Sequence, residues 1–374
     1  MKLDWDKNLM IKARENILKN DDITITDKTA LAFYNFVIDN KVQLHKLTKE
    51  EIKNSKNKLS NIEMLERARQ EFIEYINDPL IGGSQIISFI ESLKYLSLDA
   101  KRIKINNYHT SNQDLFDTSY EVFGSINPYF ERCLDYIYQN KLVKVDKNKK
   151  DYCSRCILDL SNKLGYVLIT NFNSTNKLSS KESVFNHELG HSIISTTNGK
   201  FYYDDCPDLE EFHSLFMQLY TDKYLYETTK NEKYLYSMNN LFSFLKEYIM
   251  KISLMYEISK IEGPLSLEKL QEETTKNNYL SYFSVEEIID ILLNGRSVYD
   301  LIIYLFSFCY VLTLFEKDES DMMKMVSSTV FDEINTFEEF LKIIDFDFTN
   351  PYIYFETFNE ADVLLKKNIR KLKR

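Results

Sequence analysis

Residues 185–192 read Phe-Asn-His-Glu-Leu-Gly-His-Ser, and this stretch decides how the rest of the chain is interpreted. It contains the pattern H-E-x-x-H, with histidines at positions 187 and 191. On an α-helix, side chains four residues apart lie one above the other on the same face. His187 and His191 can therefore bind one Zn²⁺ ion, and Glu188 lies beside them, where it can take a proton from a water molecule on that ion. The alternative is a chance match, which is rare because the chain has only 5 histidines.

The residues around this pattern favour a helix. Ser179 and Glu182 have the spacing of a capping box at its start, and Asn198-Gly199 is a typical stop. An apolar residue recurs every four positions, at Phe185, Leu189 and Ile193. This apolar stripe lies about 200° around the helix from the histidine pair. We therefore expect one face of the helix to pack into the core while the opposite face presents the metal ligands.

A catalytic zinc site needs a third protein ligand and an open position for water. In the class with three histidines, the third would fall at position 197, where this chain has Thr197, so that class is excluded. The other common solution is a glutamate on a following helix, and Pro207 to Ser214 has the proline and the acidic first turn of a helix start. Glu210 and Glu211 are both candidates. The alternative role for either is that of an acid that only favours a helix N-terminus.

Composition and charge indicate the class of protein. The chain has 374 residues, of which 44% are hydrophobic and 28% charged, as in a typical globular protein. The formal net charge is −10, which argues against general nucleic-acid binding because an acidic surface repels phosphate. The first residues lack the apolar core of a signal peptide, and 5 cysteines in this length do not make a disulfide framework. These features predict a cytoplasmic location.

Two further segments have simple interpretations. The apolar run from Leu301 to Phe315 is shorter than the roughly 18 to 20 residues that a membrane-spanning helix needs, so we interpret it as a buried core helix and predict no membrane partner. Cys153 and Cys156 form a lone C-x-x-C pattern, which is a weak signal for zinc or redox chemistry. We interpret this pair as two inert thiols on or beside a strand.

The remaining pattern is helical on both sides of one short β-rich region. Helices are predicted over Thr26–Val42, Thr48–Asp78 and Asp114–Asn140, the last with a break or a kink at Asn127-Pro128. Leu142–Val145 and Leu164–Phe172 have the composition of strands. Tyr166–Thr170 is expected at the edge of the small sheet, where an extended peptide could pair with it. The pattern is helical again from Ser179 nearly to the end.

These motifs together resemble the oligoendopeptidase F and thimet oligopeptidase family of zinc metallopeptidases. The resemblance rests on Asn171-Phe172 ahead of the zinc helix, on residues 185–192, and on the E-x-x-S spacing of Glu211 and Ser214. It covers about residues 150 to 220, with a weaker echo near 294 to 310. The resemblance implies that Glu211 is the third ligand, that one Zn²⁺ per chain is the cofactor, and that the partner is an oligopeptide substrate.

The family also has a C-terminal segment with a histidine and several tyrosines that bind substrate and stabilise the oxyanion. The counterpart in this chain begins at Asn294 and contains Tyr299 and Tyr304, but no histidine follows His213. The resemblance implies a catalytic role for Tyr299 or Tyr304 in holding the oxyanion. The alternative is that both only line a buried helix, since the chain has 26 tyrosines.

The predicted fold is mainly α: a helical zinc-peptidase catalytic domain with a small β-sheet beside the active-site cleft. It is one domain over residues 1–374, which can comprise two helical lobes at about 1–140 and 141–374, as a shortened member of the family. The predicted activity is hydrolysis of internal peptide bonds in oligopeptides. The alternatives are a processing peptidase dedicated to one partner peptide, and a protein that retains zinc and binds peptide with little turnover. The sequence predicts no oligomeric state.

Overall fold

Helices make up nearly all of the regular structure in the described part of the chain. The structure is a computed structural model, and it describes residues 7–19, 61–77, 83–99, 101–105, 111–146, 155–159, 164–170, 178–197, 211–293, 298–332, 334, 336–347, 350 and 352–372. The helices ahead of residue 140 are α1 (Lys7–Leu18), α2 (Asn61–Asn77), α3 (Gly83–Leu93), α4 (Asn112–Ile126) and α5 (Pro128–Gln139), with a 3₁₀ helix over Lys94–Asp99. The prediction of a mainly helical fold is confirmed.

The remaining helices of the described residues lie between Lys181 and Leu372. They are α6 (Lys181–Thr197), α7 (Phe212–Thr229), α8 (Glu232–Ser259), α9 (Leu267–Lys276), α10 (Val285–Leu293), α11 (Val298–Phe315), α12 (Glu319–Phe331), α13 (Phe337–Ile343) and α14 (Ile353–Leu372), with a 3₁₀ helix over Leu280–Tyr282. Helix α11 contains the apolar run from the sequence, and its residues from Leu301 to Leu314 are buried. Among the described residues, no helix combines the length and the apolar character that a membrane crossing requires.

Three strands lie between α5 and α6: β1 (Val143–Asp146), β2 (Arg155–Asp159) and β3 (Leu164–Thr170). Their order is β1-β3-β2, with β1 parallel to β3 and β2 antiparallel to it. The central strand is therefore β3, and the prediction that Tyr166–Thr170 forms the sheet edge is wrong. Alternation along a strand identifies its two faces but not its neighbours. The sequence placed Cys156 only on or beside a strand, whereas it belongs to β2, which covers one edge of β3.

Packing divides the chain into two compact units. The first unit comprises Met1–Lys56, Ile103–Met238 and Thr313–Phe346, and the second comprises Asn57–Arg102, Asn239–Leu312 and Asp347–Arg374. Each unit is assembled from three separate segments. A boundary at about residue 140 coincides with neither unit, so the two consecutive lobes remain an expectation from the sequence.

The predicted break between two helices at Asn127-Pro128 is confirmed. Asn127 is extended, with φ −158°, and it ends α4 and caps α5. Its Oδ1 accepts a hydrogen bond from the backbone N–H of Tyr129 at 2.9 Å. Pro128 is the first residue of α5, where its missing N–H costs nothing because that group has no partner within the helix. The predicted helix over Thr26–Val42 lies outside the described residues.

The start of α6 differs from the prediction by one residue. The helix begins at Lys181, and the Ser183 backbone N–H donates to Ser180 Oγ at 3.1 Å. Ser180, and not Ser179, therefore occupies the capping position. The Glu182 carboxylate accepts from Lys233 Nζ at 3.0 Å. Helix α6 ends at Thr197, and the predicted stop at Asn198-Gly199 lies outside the described residues.

Candidate metal centre

Three side chains from α6 and the start of α7 converge in the first unit. Glu211 Oε2 lies 3.4 Å from His187 Nε2 and 3.4 Å from His191 Nε2. One ligand atom from each of the three residues lies within 4.8 Å of the other two. In the part of the chain that the structure describes, these three residues form the group of side chains that could hold a metal ion.

The separation of these atoms fits a single zinc ion. Zinc binds histidine nitrogen at about 2.0–2.1 Å and carboxylate oxygen at about 2.0–2.2 Å, usually with tetrahedral angles. Two such donors around one ion are then separated by about 3.3–3.5 Å, by simple trigonometry on those bond lengths. The 3.4 Å distances from Glu211 to both histidines agree with this value. Two imidazoles and one carboxylate are also the donor set of many catalytic zinc sites.

The histidines lie on the most exposed strip of α6. From Lys181 to Ile193 every described side chain is buried except Val184, His187 and His191, which follow one face of the helix. The two histidine side chains are 12% and 13% exposed. The apolar stripe predicted for the opposite face is buried, at Phe185, Leu189 and Ile193. The helix thus presents its candidate ligands toward the less buried side, and the neighbouring Glu188 is 7% exposed.

Glu211 occupies the N-cap position of α7, but its side chain makes no capping hydrogen bond. The carboxylate instead approaches the two histidines, so capping is not its role in the structure. Ser214 Oγ donates to Glu211 and lies 2.9 Å from both the carboxylate Oε2 and the backbone oxygen. This contact holds the carboxylate against its own helix. Glu210, the other candidate, lies outside the described residues.

Gly190 allows α6 and α7 to approach closely beside the metal ligands. A Cβ atom at this position would lie 2.8 Å from the His213 backbone oxygen and 2.8 Å from Ser214 Cα. Both neighbours are backbone atoms, so they cannot rotate away as a side chain could. The two helices therefore meet at backbone distance at the level where Glu211 and Ser214 enter α7.

His213 lies close to this centre along the chain but is not one of the converging ligands. Its Nε2 lies 3.0 Å from Thr329 Oγ1, and Thr329 donates its own proton to the Val326 backbone oxygen at 2.7 Å. His213 Nε2 therefore carries the proton of this hydrogen bond. Burial, with a smaller contribution from His191, lowers the pKa of His213 to about 3. The side chain is neutral and ties the start of α7 to α12.

Several buried polar residues that hold α6 in place were not predicted from the sequence. Asn186 contacts Ser119 on α4 and Thr221 on α7. Asp222 accepts a hydrogen bond from Ser180 Oγ at 2.6 Å, at the capping position of α6. Burial raises the pKa of Asp222 to about 7, against the lowering effect of hydrogen bonds from Ser180, Ser237 and Ser183. These residues are small polar positions at separate places in the sequence, and no pattern marks them as partners.

The two tyrosines predicted to act in catalysis belong to α11, within the second unit. Tyr304 is 7% exposed, and its ring packs edge-to-face against Tyr248 with 5.8 Å between centroids. Tyr299 is the second residue of α11, and its side chain lies outside what the structure describes. Their role at the active site therefore stays a prediction.

The fold is shared with solved structures of peptidases. A protein from Chlamydophila abortus assigned as a peptidase superposes with a TM-score of 0.51 and 15% identity, covering 96% of this chain and 63% of that chain. A structure assigned as oligoendopeptidase F gives a TM-score of 0.50 and 11% identity, covering 96% of this chain and 66% of that chain. Another, assigned as oligoendopeptidase F from Bacillus anthracis str. Ames, gives 0.46 and 14%, covering 96% of this chain and 65% of that chain.

These comparisons bear on the fold. The predicted resemblance to the oligoendopeptidase F family is confirmed at that level, since identities of 11% and 15% show the fold alone. The chain spans 63% to 66% of the length of these structures. No protein-family model matches the sequence, and the comparison with curated proteins finds no match.

Proposed function

We propose that this chain is a zinc-dependent endopeptidase that hydrolyses internal peptide bonds of oligopeptides. The observation that carries the proposal is the convergence of His187, His191 and Glu211, with 3.4 Å from the carboxylate to each imidazole. The fold neighbours are peptidases, which supports the same class of reaction. The proposal includes a single catalytic domain and a cytoplasmic location.

In this proposal His187 and His191 provide two nitrogen ligands and Glu211 provides one oxygen ligand. When bound, Zn²⁺ supplies Lewis-acid chemistry, which lowers the pKa of a water molecule and polarises a carbonyl group. Ser214 keeps the Glu211 carboxylate oriented by donating to Oε2 at 2.9 Å. A ligand that is held in advance loses less freedom when the metal binds.

Glu188 is the proposed general base and general acid. It follows His187 directly on α6, so its carboxylate is carried by the same rigid helix as the ligands. Its carboxylate takes the proton from the attacking water and later gives it to the nitrogen of the leaving amine. Glu188 is 7% exposed, and electrostatic interactions are stronger at a site with little water around it.

A tyrosine hydroxyl is proposed to donate a hydrogen bond to the oxyanion of the scissile carbonyl. The candidates are Tyr299 and Tyr304, which lie five residues apart on α11. Such a donor is worth most when it is held in place before the reaction begins. The edge-to-face contact with Tyr248 restricts the ring of Tyr304 in this way.

The test is cleavage of a mixed oligopeptide library, read by mass spectrometry, with and without a strong chelator. We expect one zinc equivalent per chain in the purified protein, cleavage within the peptides, and loss of cleavage on chelation that added Zn²⁺ restores. Clustering of cut sites in one sequence would identify a dedicated processing peptidase. Binding of peptides without cleavage, or cleavage that continues after the metal is removed, would contradict the proposed activity.

A further inference from the structure

Asn186 links the helix of the candidate ligands to two other helices of the first unit. It is 1% exposed, and its partners Ser119 on α4 and Thr221 on α7 are both 0% exposed. Ser119 Oγ donates to Asn186 Oδ1 at 2.7 Å, and Asn186 Nδ2 donates to Thr221 Oγ1 at 2.9 Å. Both ends of the amide are therefore engaged inside the protein.

At the Thr221 end of the bridge, the direction of the hydrogen bond follows from the number of available protons. Thr221 has one hydroxyl proton, which it donates to the Met217 backbone oxygen at 2.6 Å. Its Oγ1 can then only accept, so the amide end that faces it must be the NH₂ group of Asn186. At the other end, the Ser119 hydroxyl lies 2.7 Å from Asn186 Oδ1 and 2.8 Å from the Leu115 backbone oxygen. The contacts on both sides of the amide hold Asn186 between α4 and α7.

Asn186 lies on the strip of α6 that faces α7. Gly190, four residues later, is on the same strip and meets the backbone of His213 and Ser214. His187 and His191 each follow a member of this strip by one residue, so they lie about 100° further around the helix. Gly190 permits the close approach of the two helices. Asn186 contacts both α4 and α7 from this strip.

This placement matters because the ligand set is divided between the two helices. Glu211 begins α7, whereas both histidines belong to α6. If α6 packed one residue out of register against α7, each of its side chains would be displaced by about 1.5 Å along the helix and by about 100° around it. Either change would remove the 3.4 Å approach of the Glu211 carboxylate to the two imidazoles.

We propose that Asn186 is the positioning residue of the metal centre, because its bridge between Ser119 and Thr221 sets the rotation and register of α6 at which both histidines meet Glu211. This inference rests on the proposed function, since it takes the three converging side chains to be zinc ligands. Asn186 itself lies on a different strip from the ligands and acts through the helix.

The test compares the zinc affinity of wild-type protein with that of Asn186→Ala and Thr221→Val, by competition with a chromophoric chelator. Thr221→Val removes the hydroxyl at nearly constant volume, so it tests the bridge even where Asn186→Ala folds poorly. We expect both to weaken zinc binding about 10- to 100-fold, as is typical when groups that orient ligands are lost. Thr221→Ser keeps the hydroxyl and should retain affinity close to wild type.

Tyr220→Phe is the matched control. Tyr220 lies next to Thr221 on α7, and its hydroxyl lies 3.1 Å from Ser125 Oγ on α4, so this variant removes a link between α4 and α7 that does not involve α6. We expect its zinc affinity to equal that of wild type. The visible absorption spectrum of the Co²⁺-loaded proteins gives a second measurement, which should change for Asn186→Ala and Thr221→Val and remain unchanged for Tyr220→Phe.

The outcomes separate this inference from the proposed function. If wild-type protein binds no zinc, the proposed function fails. If wild-type protein binds one equivalent while Thr221→Val and every folded Asn186 variant keep its affinity and Co²⁺ spectrum, the positioning role is wrong and the proposed function stands. Equal losses in Tyr220→Phe and Thr221→Val would also overturn the positioning role, because the effect would then be general destabilisation.

Discussion

Ser214 Oγ donates a hydrogen bond to Glu211 Oε2 at 2.9 Å, and the same oxygen lies 3.4 Å from Nε2 of both histidines. The oxygen that meets the histidines is thus held by a hydroxyl one turn further along the chain. Residues three positions apart lie on neighbouring parts of one helix face, which is why the spacing E-x-x-S brings donor and acceptor together.

Glu211→Ala should release zinc readily, and Ser214→Ala should weaken binding by a smaller amount. The first variant removes a ligand, whereas the second removes only the group that orients it, a loss typically worth about 10- to 100-fold in affinity. The dissociation constant for zinc, measured by chelator competition, should therefore rise in the order wild type, Ser214→Ala, Glu211→Ala. Metal content after dialysis should follow the same order.

Glu210→Ala is the control for this series, because it removes the neighbouring acid that the sequence also offered as a ligand. We expect it to keep its zinc and to unfold at nearly the wild-type temperature. Loss of zinc from Glu210→Ala together with retention in Glu211→Ala would contradict the assignment of the third ligand.

Glu188→Gln should keep the metal and the fold but lose nearly all turnover. The amide has nearly the shape of the carboxylate, but it can neither accept the proton of the water nor return it to the amine. A general acid–base step is typically worth about 10²–10⁴ in rate. We expect kcat for an identified peptide to fall by about that factor, with zinc content unchanged. Turnover at the wild-type rate would show that another group moves the proton.

Gly190→Ala should weaken zinc binding and destabilise the protein. The added Cβ would lie 2.8 Å from backbone atoms of His213 and Ser214, so α6 must move away from α7 at the level of the ligands. Overpacking of this kind typically costs about 1–3 kcal/mol, more than the about 0.5–1 kcal/mol that alanine gains over glycine within a helix. Thermal unfolding and chelator competition would measure the two effects.

Gly124→Ala is the matched control within α4. Its added Cβ would meet only the carboxylate end of Glu131, an exposed side chain that can rotate away. We therefore expect unchanged zinc affinity and a stability equal to or slightly above wild type. If Gly190→Ala behaves in the same way, the close approach of α6 and α7 is not required for the metal centre.

The parts of the site that depend on local spacing could be predicted from the sequence. The i, i+4 histidine pair, the buried stripe opposite it, and the break at Asn127-Pro128 each follow from periodicity or from the backbone chemistry of proline. The resemblance to a known family, rather than spacing, singled out Glu211. The structure places that carboxylate beside both histidines, and its function as a ligand stays a prediction.

The parts that depend on contacts between distant segments could not be predicted in this way. Alternation along β3 did not reveal that β2 covers its second edge, and the S-x-x-E spacing put the cap of α6 at Ser179, whereas Ser180 occupies it. Ser180 Oγ has both the Ser183 backbone N–H and, 42 residues away, the Asp222 carboxylate within hydrogen-bond distance. Asn186 likewise depends on Ser119 and Thr221, which are 67 and 35 residues away in the sequence.

The buried carboxyl group of Asp222 should make the stability of the protein depend on pH, independently of the metal. It is 1% exposed, and burial raises the pKa of its carboxyl from an ordinary 3.8 to about 7. The nearby charged group Glu182 adds to this increase, while hydrogen bonds from Ser180, Ser237 and Ser183 oppose it. Between these two pKa values the folded protein binds one proton more than the unfolded chain, so this group makes the free energy of unfolding decrease as pH rises.

The Asp222→Asn variant has no carboxyl group to titrate at this position, so its free energy of unfolding should lack this decrease. We expect the stability of the variant relative to wild type to be lowest near about pH 3, where folded and unfolded Asp222 are both largely protonated, and to increase up to about pH 7. The slope of the difference is at most about 1.4 kcal/mol per pH unit, and it should vanish above about pH 8. Other titrating groups are common to both proteins and cancel in the difference. Unfolding in urea across this pH series measures the difference in free energy of unfolding. A difference that stays constant with pH would show that Asp222 has the same pKa in the folded protein as in the unfolded chain.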